Sequence, residues 1–174
     1  MVARVLLIDD EPLVARLYAR ALSDTGWTIE ISDHPWDALE KIQNDAPDFI
    51  ITDMNMPGMN APELLQELSQ SYLKTMPVLV LSAESPESFI PEALRAGADD
   101  FLPKGTKFSN IAERVTFWLE AGVAGLPLDA RAQALELLPY KKYGNNIFLI
   151  LSFPRSLSVD RVYTSLIDQL PLNR

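Results

Sequence analysis

The chain has 174 residues, 48% of them hydrophobic and 22% charged, a balance expected of one soluble domain of ordinary size or one domain with an appendage. It has no cysteine, which excludes disulfides and thiolate metal sites and suits a reducing, cytoplasmic setting. The net charge of −9 is uneven: residues 1–122 carry 9 Lys/Arg against 20 Asp/Glu, whereas residues 123–174 carry 6 against 4. An acidic first part lacks the clustered cations that neutralise phosphates, so nucleic-acid binding is not expected of it.

Arg4 and then Asp9-Asp10-Glu11 interrupt any signal-peptide core, and no apolar run approaches the roughly 18 residues of a membrane span. Residues 2–8 read as a buried strand ending at Asp9-Asp10-Glu11-Pro12. Pro12 suits the first turn of a helix, where its missing N–H is not needed. Leu13, Leu17, Ala21 and Leu22 fall on one helical face, and Gly26 ends the element. Residues 27–31 form a second strand. Asp33-His34-Pro35 opens a helix through Gln43 with Trp36, Leu39 and Ile42 on a face. The lone histidine, His34, reads as a surface residue beside Pro35.

Residues 48–52 form a third strand, leading to Asp53, and the Met-Pro-Gly turn after it redirects the chain. Met54, Met56 and Met59 read as packing around that turn. Residues 62–73 make a helix with Leu64, Leu65, Leu68 and Tyr72 inward, and residues 77–81 a fourth strand ending at Ser82-Ala83-Glu84. A helix over 86–96, stopped by Gly97, precedes a short polar-leading edge strand over 98–102. Lys104 lies at the end of that strand, and residues 109–121 form a helix burying Ile111, Val115 and Trp118. Strands alternating with helices specify an α/β class with a parallel sheet and right-handed crossovers.

Ligands of open α/β sheets bind outside the carboxyl ends of the strands. Here those ends bring Asp9 and Asp10, Asp53, Ser82 and Lys104 to one edge. Carboxylates so close repel and are driven to protonate unless a cation shares the site. Hard oxygen ligands with open positions suit Mg2+, which keeps waters and often meets a phosphate. A lysine and a hydroxyl at the same edge would hold phosphoryl oxygens, and a carboxylate can itself be the nucleophile. Together the set reads as a phosphoryl-acceptor site. Each residue also has a local reading: Asp9-Asp10 as a helix cap, Ser82 as a turn cap, Lys104 as a solvated lysine, and Phe101 as a half-buried strand residue.

The order Asp-Asp, then Asp-x-Asn-Met-Pro-Gly, then Ser-Ala, then Lys, over about the first 122 residues, resembles the receiver domain of two-component response regulators. The resemblance implies a flavodoxin-like, doubly wound, five-stranded parallel sheet, and the strand order 2-1-3-4-5 comes with it rather than from spacing. It implies that Asp53 is the phosphoacceptor. Asp10, Asp53 and the backbone carbonyl of Asn55 would bind Mg2+, with Asp9 acting through a water. Lys104 would pair with the phosphoryl group, Ser82 would swing toward it, and Phe101 would fill the place of the switch aromatic. Asn55 and Glu84 would tune dephosphorylation. The phosphoryl group would come from a sensor histidine kinase or a phosphotransfer protein. No enzymatic activity is expected beyond Mg2+-dependent self-phosphorylation and autodephosphorylation.

Three positions depart from the family's pattern. Gly105 follows Lys104 where proline is usual, often after a cis bond, so the loop into the last helix is expected to differ. Ala61 stands where glycine is common, and Phe101 lacks the hydroxyl of the more familiar tyrosine. None removes an acceptor or a metal ligand.

Residues 122–127 read as a linker into a helix-strand-helix extension over 123–174, serving as an output or dimerisation segment. Its strand, residues 147–153, is as apolar as a core strand, and Val159, Val162, Tyr163, Leu166, Ile167 and Leu170 follow at amphipathic helical spacing. About 50 residues make a marginal core alone. The extension is therefore expected to dock on the first domain, on a second copy as a homodimer, or on a further domain. It resembles no helix-turn-helix and shows no catalytic motif.

The leading expectation is a cytoplasmic, phosphorylation-dependent switch whose output is contact with a downstream protein partner. Its alternatives are a transcription factor, the N-terminal regulatory part of a larger output protein, and an Mg2+-dependent phosphatase with an Asp nucleophile.

Overall fold

The computed structural model describes residues 2–71, 76–84, 92–93 and 96–120. The expected extension over 123–174, Tyr72, and most of the expected helix over 86–96 lie outside these residues.

Five strands, β1 (Arg4–Ile8), β2 (Thr28–Ser32), β3 (Phe49–Asp53), β4 (Val78–Ser82) and β5 (Asp100–Pro103), pair in parallel in the order β2-β1-β3-β4-β5. This is the order the resemblance implied, with β5 at an edge. β3 and β4 are buried along their whole length, which is why they read as unbroken apolar runs rather than as alternating ones.

Successive strand side chains point to opposite faces, so the sheet supports two cores. Leu6, Ile8, Ile50, Val78 and Val80 pack on one face with helix α2 (Pro35–Asn44) and helix α3 (Ala61–Gln70). Val5, Leu7, Phe49, Ile51, Leu79 and Leu81 pack on the other with helix α1 (Pro12–Ala21) and helix α4 (Phe108–Glu120).

Local chemistry sets the helix ends. Pro occupies the first turn of α1, α2 and α3. His34 caps α2, its Nδ1 accepting the Trp36 N–H at 3.3 Å. Asn60 and Glu63 form a reciprocal capping box on α3, both bonds 2.9 Å. Ala93 and Ala96 are helical, and Gly97, at φ 90, reverses the chain so that the Ala98 N–H reaches the Ala93 carbonyl at 2.9 Å. Gly97 thus stops a helix where the sequence expected one to stop. Met54, Met56 and Met59 are all buried around the turn after β3.

The inward faces of two helices differ from expectation. Of the expected α1 face, Leu22 is buried, but Leu13 and Leu17 are 78% and 56% exposed and Ala21 is exposed too, and Ala15 and Tyr18 are buried instead. α1 carries two apolar arcs about 150° apart, and docking on the sheet selects the one with the small Ala15 at the contact. On α2 Trp36 is 55% exposed, and Pro35 and Ala38 join Leu39 and Ile42 inside. Trp36 sits at the margin of that arc. Among the described residues no helix is long and apolar enough to cross a membrane.

Candidate functional site

The strand register assembles the site. Ile8 is level with Thr52, Asp53 with Leu81, and Ser82 with Pro103. The residues one step further along each strand therefore meet at the carboxyl edge of the sheet. Asp9 follows β1, Asp53 closes β3, Ser82 closes β4 and Lys104 follows β5.

Asp9 and Asp53 are buried and Asp10 is half-buried, and one carboxylate oxygen of each lies within 4.8 Å of the others. Lys104 Nζ sits 2.8 Å from Asp53 Oδ2, 3.1 Å from Asp9 Oδ2 and 3.9 Å from Glu11 Oε1. The other Asp9 oxygen accepts the Glu11 N–H at 3.0 Å, a local bond ahead of α1; Glu11 is the N-cap of that helix and no side chain caps it, so the expected helix-cap role of Asp9 is not what its carboxylate does. Three carboxylates with hard oxygen atoms around one point are a donor set that fits a small divalent cation.

The charges explain the titration of the site. Burial pushes the Asp53 carboxyl above its ordinary value; the hydrogen bond and charge of Lys104 oppose this, and Asp9 reinforces it. Burial alone would lower Lys104, yet Asp53 and Asp9 together hold its ammonium above the usual lysine value. The two directions are compatible because one ammonium serves more than one carboxylate. Lys104 gains from both acids, while Asp53 gains from Lys104 and loses to Asp9.

The remaining expected residues surround this centre. Ser82 is buried, and its hydroxyl accepts the Glu84 N–H at 3.1 Å, so it does cap the turn after its strand. Its carbonyl accepts the Lys104 N–H at 2.6 Å, tying the ends of β4 and β5 together. Asn55 Nδ2 donates to Glu84 Oε1 at 2.8 Å, joining the loops after β3 and β4 across the edge. An open groove of about 670 Å³ lies alongside, lined by Asp10, Asn55, Pro57, Gly58, Asn60 and Glu63. Phe101 is half-buried and packs against the core shared with α2 and α3. Asp9, Asp10, Asp53, Asn55, Ser82, Glu84 and Lys104 thus lie at or beside one sheet edge, whereas Phe101 sits back along β5, level with Val80.

The sequence did not single out Tyr18 or Glu11, both of which lie beside Lys104. Tyr18 lies off the face the sequence assigned to this helix, and its hydroxyl was the available signal. It also did not single out Arg114, which pairs with Asp100 in the interior.

A family model described as the response regulator receiver domain matches residues 5–116. Response regulator MprA of Mycobacterium ulcerans is 36% identical over 115 residues, covering 66% of this chain and 49% of that protein. The chain therefore spans about half the length of the curated relatives it matches. The receiver domain of Francisella response regulator 1452 superposes with a TM-score of 0.64 at 27% identity, over 69% of this chain and 98% of that one. Chemotaxis response regulator CheY4 of Vibrio cholerae gives 0.61 at 31% identity, over 67% and 98%. With the family's sheet order, its acidic cluster and its lysine at the same edge, the chain belongs to the receiver domains of two-component response regulators.

Proposed function

We propose that this chain is a phosphorylation-dependent switch that takes a phosphoryl group onto Asp53 from the phosphohistidine of a sensor histidine kinase or a phosphotransfer protein. The observation that carries the reading is Asp53 itself, a buried carboxylate at a strand end, within 4.8 Å of Asp9 and Asp10 and 2.8 Å from Lys104.

An Asp53 oxygen attacks phosphorus as the P–N bond to the donor imidazole breaks. The bonding pair stays on the ring nitrogen, which then takes a proton from solvent. Asp10, Asp53 and the Asn55 backbone carbonyl, with Asp9 through a water, are the groups that would hold Mg2+, which when bound neutralises phosphoryl oxygens. Lys104, kept charged by its two acidic partners, turns from carboxylate to the phosphoryl group. Ser82 exchanges its bond from the Glu84 N–H for one to a phosphoryl oxygen, and Phe101 follows from its half-buried position. Asn55 and Glu84, bonded to each other over the edge, limit the approach of hydrolytic water. Output then passes by protein contact to a downstream partner.

The test is intact mass after treatment with acetyl phosphate and Mg2+, beside Asp53→Asn, with solution mass by light scattering before and after. The native chain should gain one phosphate and the variant none. Incorporation that persists in Asp53→Asn would move the acceptor elsewhere and end this reading. A change in solution mass that depends on Asp53 would assign the output to self-association. A second reading is favoured by the chain spanning about half the length of its relatives: a regulatory part of a longer output protein. Constant solution mass on phosphorylation is the outcome expected of that arrangement.

A further inference from the structure

The loop that carries Lys104 is where this chain departs most from the family's pattern, with Gly105 directly after the lysine of the site. The φ of Gly105 is +92, a region open to glycine and closed to proline, whose ring holds φ at about −65. The Thr106 N–H reaches the Pro103 carbonyl at 3.1 Å, closing a tight turn from Pro103 to Thr106. Gly105 is the third residue of that turn, the place where a type II turn requires positive φ. Lys104 is the second.

The lysine backbone is therefore held on both sides. Upstream, Pro103 lies level with Ser82, and the Lys104 N–H meets the Ser82 carbonyl at 2.6 Å. Downstream, the turn is closed twice on one oxygen, because the Thr106 hydroxyl also donates to the Pro103 carbonyl, at 2.7 Å. A carbonyl has two lone pairs and can take both. With the peptide planes before and after Lys104 fixed, the direction of its Cα–Cβ bond is fixed too. That direction suits the inward side chain, 17% exposed, with Nζ 2.8 Å from Asp53 and 3.1 Å from Asp9. Lys107, just past the turn, is exposed. The one proton of the Thr106 hydroxyl thus goes to the backbone that presents the lysine.

We propose that Thr106 is a positioning residue: its hydroxyl, with the left-handed Gly105 beside it, holds closed the turn that delivers Lys104 between Asp9 and Asp53. This closure stands in place of the ring constraint a proline would supply. The consequence for phosphoryl uptake rests on the Asp53 reading; the placement of the lysine does not.

The experiment uses the full chain, and its first readout needs neither phosphate nor metal. The chain is treated with limiting acetic anhydride, and acetylation of Lys104 is read by peptide mass as a ratio to that of Lys107. Thr106→Val removes the hydroxyl and keeps the branched shape, whereas Thr106→Ser keeps the hydroxyl. Loss of one ordinary hydrogen bond should raise the ratio roughly threefold to tenfold in the valine variant, and the serine variant should stay native. A hydroxyl that only stabilises the loop would lower the melting temperature without moving the ratio. An unchanged ratio in Thr106→Val therefore overturns the positioning role. Gly105→Ala adds a methyl that meets nothing within 4 Å, so it tests the backbone angle alone and should also raise the ratio. Gly105→Asn, larger but more tolerant of positive φ, should raise it less. An asparagine as damaging as the alanine would make bulk the cause and overturn the part given to the turn. The second readout is the rate of acetyl phosphate incorporation, expected to fall by a similar factor in Thr106→Val and Gly105→Ala. Native rates in both would overturn the link from lysine placement to uptake. Failure of the native chain to take phosphate would end the Asp53 reading while the labelling ratio still decides the turn.

Discussion

Asp53 and Asp100 lie in the same sheet, both are buried, and both face a cation, yet their surroundings differ in kind. Asp100 begins β5, at the closed end of the sheet, and Asp53 closes β3, at the end where the loops open. Asp100 Oδ2 accepts from Arg114 Nε at 2.6 Å and from Trp118 Nε1 at 2.9 Å. Its Oδ1 takes a second Arg114 nitrogen and the Phe101 N–H. One acid meets one guanidinium in a two-pronged fit, and the indole completes the set. At the other end Lys104 is divided between Asp53 and Asp9, with Asp10 close by, so negative charge remains in excess. A saturated carboxylate holds β5 to α4; an undersupplied one is prepared to receive positive charge. Burial alone does not distinguish the two acids, whereas the local balance of charge does.

The largest effect is expected from breaking the saturated pair. Arg114→Leu leaves the Asp100 carboxylate buried without its cation and should cost about 3–5 kcal/mol of stability, read by urea denaturation. Adding Asp100→Leu should recover part of that loss, because the uncompensated charge is then gone.

A smaller effect of opposite sign is expected at the undersupplied site. The folded-state pKa of Asp53 is raised, so the folded chain holds that proton to higher pH than the unfolded one. Stability therefore falls as pH rises from the ordinary aspartate value through the raised one, and the ionised carboxylate costs stability above it. Without divalent cations, Asp53→Asn should melt a few degrees higher than the native chain at pH 7. The advantage should shrink as pH is lowered through that window. Mg2+ should then raise the melting temperature of the native chain more than that of the variant. A variant that melts lower at pH 7 would show that Lys104 already satisfies Asp53.

The smallest effect concerns the rim. Asn60 caps α3 and lines the groove beside Asp10, so Asn60→Ala should cost about 1 kcal/mol in thermal unfolding while phosphate incorporation stays near native. A large loss of incorporation would make the rim part of the site.

The elements that hold the site were legible for a local reason. Parallel strands buried on both faces are short unbroken apolar runs, so Phe49-Ile50-Ile51 and Val78-Leu79-Val80-Leu81 announce themselves, and the polar residue that ends each run marks the sheet edge. Asp9, Asp10, Asp53, Ser82 and Lys104 follow from that punctuation. Helix ends were legible in the same way through Pro12, Pro35 and Gly97.

Other features required the tertiary structure. Helical periodicity offered two apolar arcs on α1, and only the sheet surface decided that Leu13 and Leu17 face out while Ala15 and Tyr18 face in. Asp99 and Asp100 looked like the polar start of an edge strand, but both are buried. The Asp99 carboxylate takes the Val78 N–H at 2.8 Å, and Asp100 is met by an arginine fourteen residues away. Gly105 was visible as a departure, yet its positive φ belongs to the folded turn between β5 and α4. The amino-acid sequence by itself determined which residues reach the carboxyl edge, because strand length and punctuation are local properties. Only the folded chain decided which cation balances which acid, because that balance depends on distances between residues remote in sequence.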